Sequence, residues 1–424
     1  MQVVESLVPE DFRSSLTTPL RQFYICTILQ CVGSGLTLSF FVVYLHNVRG
    51  FSTGFSTLLL AFAAIAGLAS SPLWGTLTDR FGPLRVVFVA YAANALALID
   101  WAFARTEVAA TIAAVLLAVF GGAAWGPSST LLSRLVIPEQ RQRAFGFNFM
   151  LVNLGVGLGS LISATIVDLH HPLTFTFLYL TNAGVMVVAG LFLLSLRAHG
   201  GPVRDHLDDP QKRAQGWATV LRDHRLVQYV LASLVLMIGG YGSQEAGFSL
   251  FVVNDLKMSV HVIGIIFFFN TSTIVLTQLW VLNRISGRSR TRVLASAGVL
   301  WFVFWVVLDV ALSLPPALAL ISLCVAMVIF AIGETMMSTV GPTLVNEIAP
   351  EHLRGRYNAA AGIGWGVSGT LAPAITALYF DNHLGTWWPL STGLTALVGS
   401  ALLLNFRRRL TAREDGREVN VPAL

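Results

Sequence analysis

Charged side chains are scarce in this chain. Only 12% of its 424 residues are Asp, Glu, Lys or Arg, and 55% are hydrophobic. A soluble globular domain carries about a quarter of its residues as charged side chains. Apolar runs near the length needed to cross a bilayer recur along the chain. These runs are continuous rather than alternating in polarity, so the sequence predicts membrane-spanning helices and not a soluble domain or a barrel.

Cysteines and catalytic motifs are also scarce. The three cysteines, Cys26, Cys31 and Cys324, lie in apolar segments, and their spacing fits neither a disulfide framework nor a metal site. The polar connections contain no phosphate-binding loop and no nucleophile–base pair. We therefore expect no metal, no ATP-driven pump and no membrane enzyme.

Hydropathy predicts twelve spans, with a polar stretch in the middle. The first six spans are 22–45, 55–78, 86–104, 108–133, 145–168 and 173–196, and the last six are 227–253, 261–283, 293–313, 316–346, 357–380 and 386–406. The predicted domains are an N-terminal six-helix bundle (1–196), a cytoplasmic central loop (197–226) and a C-terminal bundle with its tail (227–424). The central loop is interpreted as a tether, and an interfacial helix with Trp217, Val220 and Leu221 on one face is the alternative. Trp387 and Trp388 are interpreted as anchors at the membrane surface.

The distribution of arginines predicts the orientation. One set of connections holds nearly all the basic residues between spans, including Arg80, Arg134, Arg288 and Arg354. By the positive-inside rule this set is cytoplasmic. Both termini are therefore expected on the cytoplasmic side, and the protein is expected in the cell's inner (plasma) membrane. This topology accounts for the net charge of +5, so we expect no nucleic-acid partner. The charged N-terminal residues lack the apolar core of a cleavable signal, so the first span is expected to act as an uncleaved anchor.

Two stretches resemble each other, one in each half. Residues 138–164 and 350–377 both begin with Pro-Glu, continue with a basic turn and enter a glycine-rich helix. When the two stretches are aligned with an offset of one residue, Arg141 matches Arg354 and Arg143 matches Arg356. These turns lie between spans 4 and 5 and between spans 10 and 11. The match predicts a six-plus-six repeat, which is typical of transporters whose halves move about a central site.

The turn GTLTDRFGPLR (75–85) resembles the signature of the major facilitator superfamily. That signature, Gly-x-Leu-Ala-Asp-Arg-x-Gly-Arg-Lys, lies between the second and third of twelve spans. Its matching residues here are Gly75, Leu77, Asp79, Arg80 and Gly82, whereas Pro83-Leu84 replaces the final pair and Arg85 follows. The resemblance implies an all-α membrane fold of two pseudo-symmetric six-helix bundles, alternating access, and a monomer.

An aspartate at this turn suits a helix N-terminus, where free N–H groups favour negative charge. We expect Asp79 to contact the start of span 11 and to pair with Arg354 or Arg356. Such a contact would hold the halves together when the protein faces outward and would break when it faces inward. A turn whose charges only set the topology remains the alternative.

Span 5 resembles that of drug/proton antiporters of the same superfamily. The stretch GVGLGSLISA (155–164) keeps Gly155 and Gly159, but Ser160 replaces the proline of that pattern. Span 4 lacks the arginine that this branch often carries. Ordinary packing of small residues explains span 5 equally well.

Carboxylates inside predicted spans are costly and usually functional. Glu334 lies near the middle of span 10, and Glu245 lies in the outer half of span 7. Acids in these spans resemble those of multidrug exporters, which implies roles in proton coupling and in attracting lipophilic cations. Asp100 and Asp309 are interpreted as interfacial. Other candidates to line the same cavity, each also explained by packing between helices, are Gln30, Asn148, Asn153, Asn182, Tyr241, Asn270, Gln278 and Trp365.

The predicted function is proton-coupled efflux of lipophilic drugs or other small molecules, cationic ones among them, across the bilayer. The proton is the expected coupling ion, and no other cofactor is expected. A metabolite or sugar permease, working as a uniporter or symporter, remains an alternative within the superfamily. A non-transporting membrane receptor is the alternative of another class.

Overall fold

The structure is a computed structural model that describes residues 16–38, 41, 44–168, 171–202, 216–258, 260–382 and 384–417. Regular structure in these residues is helical throughout. Ten helices among them are long and apolar enough to cross a membrane. The chain divides into two compact units.

The first unit contains most of the first half. Its long helices are α1 (Thr18–Leu38), α2 (Thr53–Phe81), α3 (Pro83–Phe103), α4 (Glu107–Leu135), α5 (Arg141–Ile166) and α6 (Leu173–Leu193). Local sequence signals determine where some of these helices begin. Ser52 caps α2 by accepting from the N–H of Phe55, and Pro83 occupies the first turn of α3, where its missing N–H costs no hydrogen bond.

The second unit contains most of the second half. Its long helices are α7a (His224–Met237), α7b (Ser243–Asn254), α8 (Val260–Ile285), α9 (Arg290–Ala311), α10 (Pro316–Ile348), α11 (Arg354–Asp381) and α12 (Trp388–Phe406). Residues 349–363, which include the start of α11, cluster with the first unit, and residues 145–147 of α5 cluster with the second.

The same helix pairings occur inside both units. In the first unit α1 packs on α6, α3 on α6, α3 on α4 and α2 on α4; in the second, α7a packs on α12, α9 on α12, α9 on α10 and α8 on α10. Each pair in one unit is shifted by six helices from a pair in the other. The major facilitator fold predicted from the sequence, with its six-plus-six repeat, is therefore present.

The seventh span is broken, although the sequence predicted one continuous helix over 227–253. A π-helical segment, Ile238–Gly242, separates α7a from α7b, and Gly240 inside it has non-helical angles (φ −120°, ψ −105°). A side chain on Gly240 would overlap the ring of Trp301 in α9. The indole N–H of Trp305 donates to the Gly239 carbonyl at 2.6 Å, so this carbonyl has a donor at the break.

The structure differs from the sequence predictions at three further places. The first span was predicted over 22–45, but α1 begins earlier, at Thr18; towards the other end of the predicted span, residues 39, 40, 42 and 43 lie outside the described residues. The tether interpretation is wrong for the end of the central loop, because Trp217–Arg222 is a short helix whose Trp217 indole donates to Thr76 Oγ1 at 2.8 Å. Trp387 is exposed, but Trp388 is fully buried against Trp305 and Phe251 and is a core residue rather than a surface anchor.

Candidate functional site

Glu334 is buried in the second unit. It follows Gly333 near the middle of α10, and its residue is only 8% exposed. The side-chain amide of Asn270 in α8 donates to Glu334 Oε2 at 3.3 Å. A carboxyl group at this depth therefore has a polar partner on the neighbouring helix and does not point into open surroundings.

Glu245 and Tyr241 lie within electrostatic range of Glu334. Glu245, in the first turn of α7b, is exposed, and both carboxyl groups interact electrostatically with the Tyr241 phenol. Tyr241 belongs to the π-helical segment, and its ring centroid lies 5.5 Å from that of Trp365 in α11. Five of the candidates named from the sequence, on the broken seventh span, α8, α10 and α11, therefore form one cluster, called here the acid cluster: Tyr241, Glu245, Asn270, Glu334 and Trp365.

Trp301 in α9 packs against Gly240 and Gly333, which directly precede two residues of the acid cluster. Its ring packs on the backbone at Gly240, directly before Tyr241, and its indole nitrogen would lie 2.7 Å from a Cβ added to Gly333, directly before Glu334. The indole N–H donates to the carbonyl of Phe330 at 3.2 Å. Sequence reasoning missed this role of Trp301. The Gly239-Gly240 pair was the available signal, because adjacent glycines permit close approach and a break.

Gln278 lies between the same two helices as Asn270 and Glu334. It is fully buried, and its Nε2 donates to Thr339 Oγ1 at 3.2 Å. Its Oε1 has no hydrogen-bond partner among the described residues. Two of the polar contacts at the α8–α10 interface are therefore those at Glu334 and at Thr339.

The remaining cavity candidates lie in the first unit and are bonded there. Asn148 accepts from Thr27 Oγ1 at 3.2 Å, and Asn182 donates to Thr37 Oγ1 at 3.0 Å. Gln30 donates to Ser34, and Asn153 donates to the Phe149 carbonyl in its own helix. These contacts give each of the four amides a packing role.

Asp79 caps the start of α11, inside the first unit. Its Oδ1 accepts from the Gly355 N–H at 2.7 Å. Its Oδ2 accepts from the N–H and from Nη1 of Arg356, each at 3.2 Å. Asp79 is 3% exposed, so this ion pair is well shielded from solvent. Arg354, the first residue of α11, is also buried. The contact expected from the sequence is present, and its role as a lock stays a prediction.

The glycines of the signature turn make this approach possible. A Cβ on Gly75 would lie 2.7 Å from the Ala359 Cβ. Gly82 has φ +87°, and a Cβ on it would overlap the backbone at Gly200 and Gly201. Only glycine therefore fits there without strain. Arg80 stacks over the ring of Phe81 and Arg85 is exposed; neither carries the contact to α11.

The turn between α8 and α9 corresponds in the six-plus-six repeat to the signature turn between α2 and α3. It has no acid of its own, and Asp415 from the C-terminal segment supplies one. Asp415 is fully buried. Its Oδ1 accepts from the Thr291 N–H at 3.0 Å and from Thr291 Oγ1 at 2.8 Å, and its Oδ2 accepts from Ser289 Oγ at 2.7 Å. Arg407 and Arg417 pair with the same oxygen. Distance along the chain hid this contact from sequence reasoning.

Comparison with known proteins agrees with this architecture. The family model for the Major Facilitator Superfamily matches residues 23–252 and 244–423. The chain is 24% identical over 365 residues to a Na(+), Li(+), K(+)/H(+) antiporter of Planococcus maritimus, covering 80% of this chain and 85% of the antiporter. It is 27% identical over 199 residues to the multidrug resistance protein MdtG of Klebsiella pneumoniae (strain 342), covering 46% of this chain and 48% of MdtG.

Among solved structures, a bacterial homologue of the iron transporter ferroportin in an outward-facing state has the same fold. The TM-score is 0.75 at 13% sequence identity, covering 93% of this chain and 100% of the homologue. The signature turn, the repeated helix pairings and the family match over most of the chain agree with one another. This protein belongs to the major facilitator superfamily, and it is a multi-pass membrane transporter of small molecules rather than an enzyme.

Proposed function

We propose that this transporter exports lipophilic, cationic small molecules in exchange for protons, as a monomer in the cell's inner membrane with both termini in the cytoplasm. The observation that carries the proposal is the buried Glu334, hydrogen-bonded to Asn270 and near Glu245. A carboxyl group in a membrane bundle is costly and is usually retained for function. The similarity to an antiporter and to a multidrug resistance protein supports the same proposal.

The acid cluster has the chemistry that proton exchange needs. Glu334 takes a proton in one state and gives it up in another, because burial favours the neutral carboxyl whereas a bound cation favours the carboxylate. Tyr241 and Trp365 offer ring faces to a lipophilic cation. Proton and cationic substrate thus compete for one carboxylate, and this competition couples their movements.

The pH gradient drives one-for-one exchange of a proton for a monovalent cation, because that cycle moves no net charge. One pH unit is worth about 1.36 kcal/mol, which sustains a gradient of about tenfold. The membrane potential contributes only where a cycle carries net charge, as when a second proton enters at Glu245; one charge across 100 mV is then worth about 2.3 kcal/mol, a factor of about 50.

The contact of Asp79 with Gly355 and Arg356 is proposed as the cytoplasmic lock of the cycle. It joins the last turn of α2 to the first turn of α11. Charge-assisted hydrogen bonds to backbone N–H groups are among the stronger polar contacts in proteins. Opening toward the cytoplasm requires these bonds to break, so their strength sets part of the barrier.

The test is transport by purified protein in proteoliposomes under an imposed pH gradient, with a panel of probes. The panel contains ethidium as a lipophilic cation, Na⁺ as an inorganic cation, and xylose as a neutral sugar. Proton-driven movement of ethidium alone is the expected result. Proton-driven movement of Na⁺ without ethidium would contradict the proposed substrate class and favour inorganic cations. Movement of xylose alone would favour a sugar permease.

A further inference from the structure

A basic cavity lies at the end of the second unit, where α8 ends and α9 begins. Its volume is about 580 Å³. Its lining includes three apolar residues, Ile285, Val293 and Met336, and three arginines, Arg288, Arg292 and Arg417. This space is separate from the acid cluster, and the proposed exchange of protons does not use it.

Among the described residues, every charged residue that lines this cavity is an arginine. No Asp or Glu is among its lining residues in the described part of the chain. The side chains of Arg288 and Arg292 are exposed, and neither guanidinium makes an ion pair or a hydrogen bond with a described residue. Two arginines without an acidic partner on one concave surface favour an anion from outside the chain.

The C-terminal segment holds the third arginine in place. Arg417 Nε pairs with Asp415 Oδ2 at 3.0 Å, and that carboxylate is fully buried. Asp415 is itself bonded to Ser289 and Thr291 at the start of α9. The fixed carboxylate therefore orients Arg417, while it also occupies the N–H of Thr291. A ligand in the cavity must be recognised by the guanidinium groups, because the helix end already has its acceptor.

We infer that this cavity is a binding site for a phosphate-bearing anion, carried either by a membrane phospholipid headgroup or by a soluble phosphate ester. Arginine suits phosphate because its planar fork donates two parallel hydrogen bonds. The apolar wall from Ile285, Val293 and Met336 suits the glycerol part of such a molecule. Basic pockets between membrane helices on the cytoplasmic side are typical sites for anionic headgroups, and the arginine distribution predicts that side for this turn.

The experiment measures ligand binding to the full-length protein purified in detergent. Short-chain phosphatidylglycerol and glycerol 3-phosphate are titrated separately, and bound ligand is counted by native mass spectrometry. The test variants are Arg292→Gln and Arg288→Gln. The control is Arg408→Gln, which removes the same charge from an exposed arginine outside the cavity. Unfolding of each variant without ligand is followed to show that the fold is intact.

We expect saturable binding that falls at least about fivefold in each test variant and stays at the wild-type level in Arg408→Gln, since one charge-assisted contact is lost. If only phosphatidylglycerol binds, the source is the lipid headgroup; if glycerol 3-phosphate binds as well and competes, the source is a soluble ester. Equal loss in all three variants, or no saturable binding of either probe, would overturn the inference.

Discussion

At the residue scale, the account rests on side chains whose partners lie far away in the sequence. Asp79 and Gly355 illustrate what could be predicted and what could not. The signature turn identified the aspartate and the expected helix start. It could not identify the close fit at Gly355, because that depends on how near α2 comes to α11. A Cβ on Gly355 would lie 2.5 Å from Asp79 Oδ1 and 2.8 Å from the Gly75 carbonyl.

Gly355→Ala should therefore weaken the proposed lock. The methyl group must displace the Asp79 carboxylate from the start of α11, and we expect a loss of about 1–3 kcal/mol, read as a lower apparent melting temperature in detergent. Gly369→Ala is the control. Gly369 lies in the same helix, and a Cβ on it would have no neighbouring atom within 4 Å. The control should be neutral or slightly stabilising, since alanine favours helix. A stable Gly355→Ala would show that the contact is loose.

At the element scale, two features escaped sequence reasoning for a common reason. The break in α7 depends on the large side chains of α9, and the cap of α9 depends on a segment more than a hundred residues later. Hydropathy detects spans, but it does not detect a π-helical segment inside one. The glycine pair before Tyr241 was visible in the sequence; the tryptophans that fill the space beside it were not assignable to it.

Trp305→Phe should destabilise the second unit. The ring stays, but the Gly239 carbonyl loses the N–H that bonds it at 2.6 Å. Leaving a buried carbonyl without a donor costs about 1–3 kcal/mol, which thermal unfolding in detergent should detect. Trp280→Phe is the matched control, because Trp280 is 60% exposed. Equal melting temperatures for the two variants would mean that the indole does not hold the break.

Asp415→Asn should loosen the C-terminal segment from α9. The substitution keeps the shape but removes the charge that pairs with Arg407 and Arg417. Because both arginines are partly exposed, at 29% and 39%, solvent screening limits the expected loss to about 1–3 kcal/mol. Protease sensitivity of the C-terminus should rise in parallel. Glu107→Gln, an exposed acid in the first turn of α4, is the control and should leave both measurements near the wild-type values.

At the scale of the whole molecule, the sequence was sufficient for the fold and for naming the five residues of the acid cluster, but not for the contacts between them. Continuous apolar runs predicted the helices, and the duplicated turn predicted the repeat that the helix pairings display. Glu334 was predictable because an acid is so unusual in an apolar span. Its partner was not, since Asn270 was one of several amides, and Asn148 and Asn182 turned out to bond within the first unit.

The central claim is that proton movement and substrate movement are coupled at Glu334. The most direct measurement compares wild type with Glu334→Gln in proteoliposomes, recording ethidium transport and internal pH together. Asp309→Asn, which removes an acid from the end of α9, is the control. We predict that Glu334→Gln abolishes proton-driven ethidium accumulation and the accompanying pH change but retains downhill ethidium exchange, whereas Asp309→Asn behaves as wild type. Proton-driven accumulation that persists in Glu334→Gln would contradict the account.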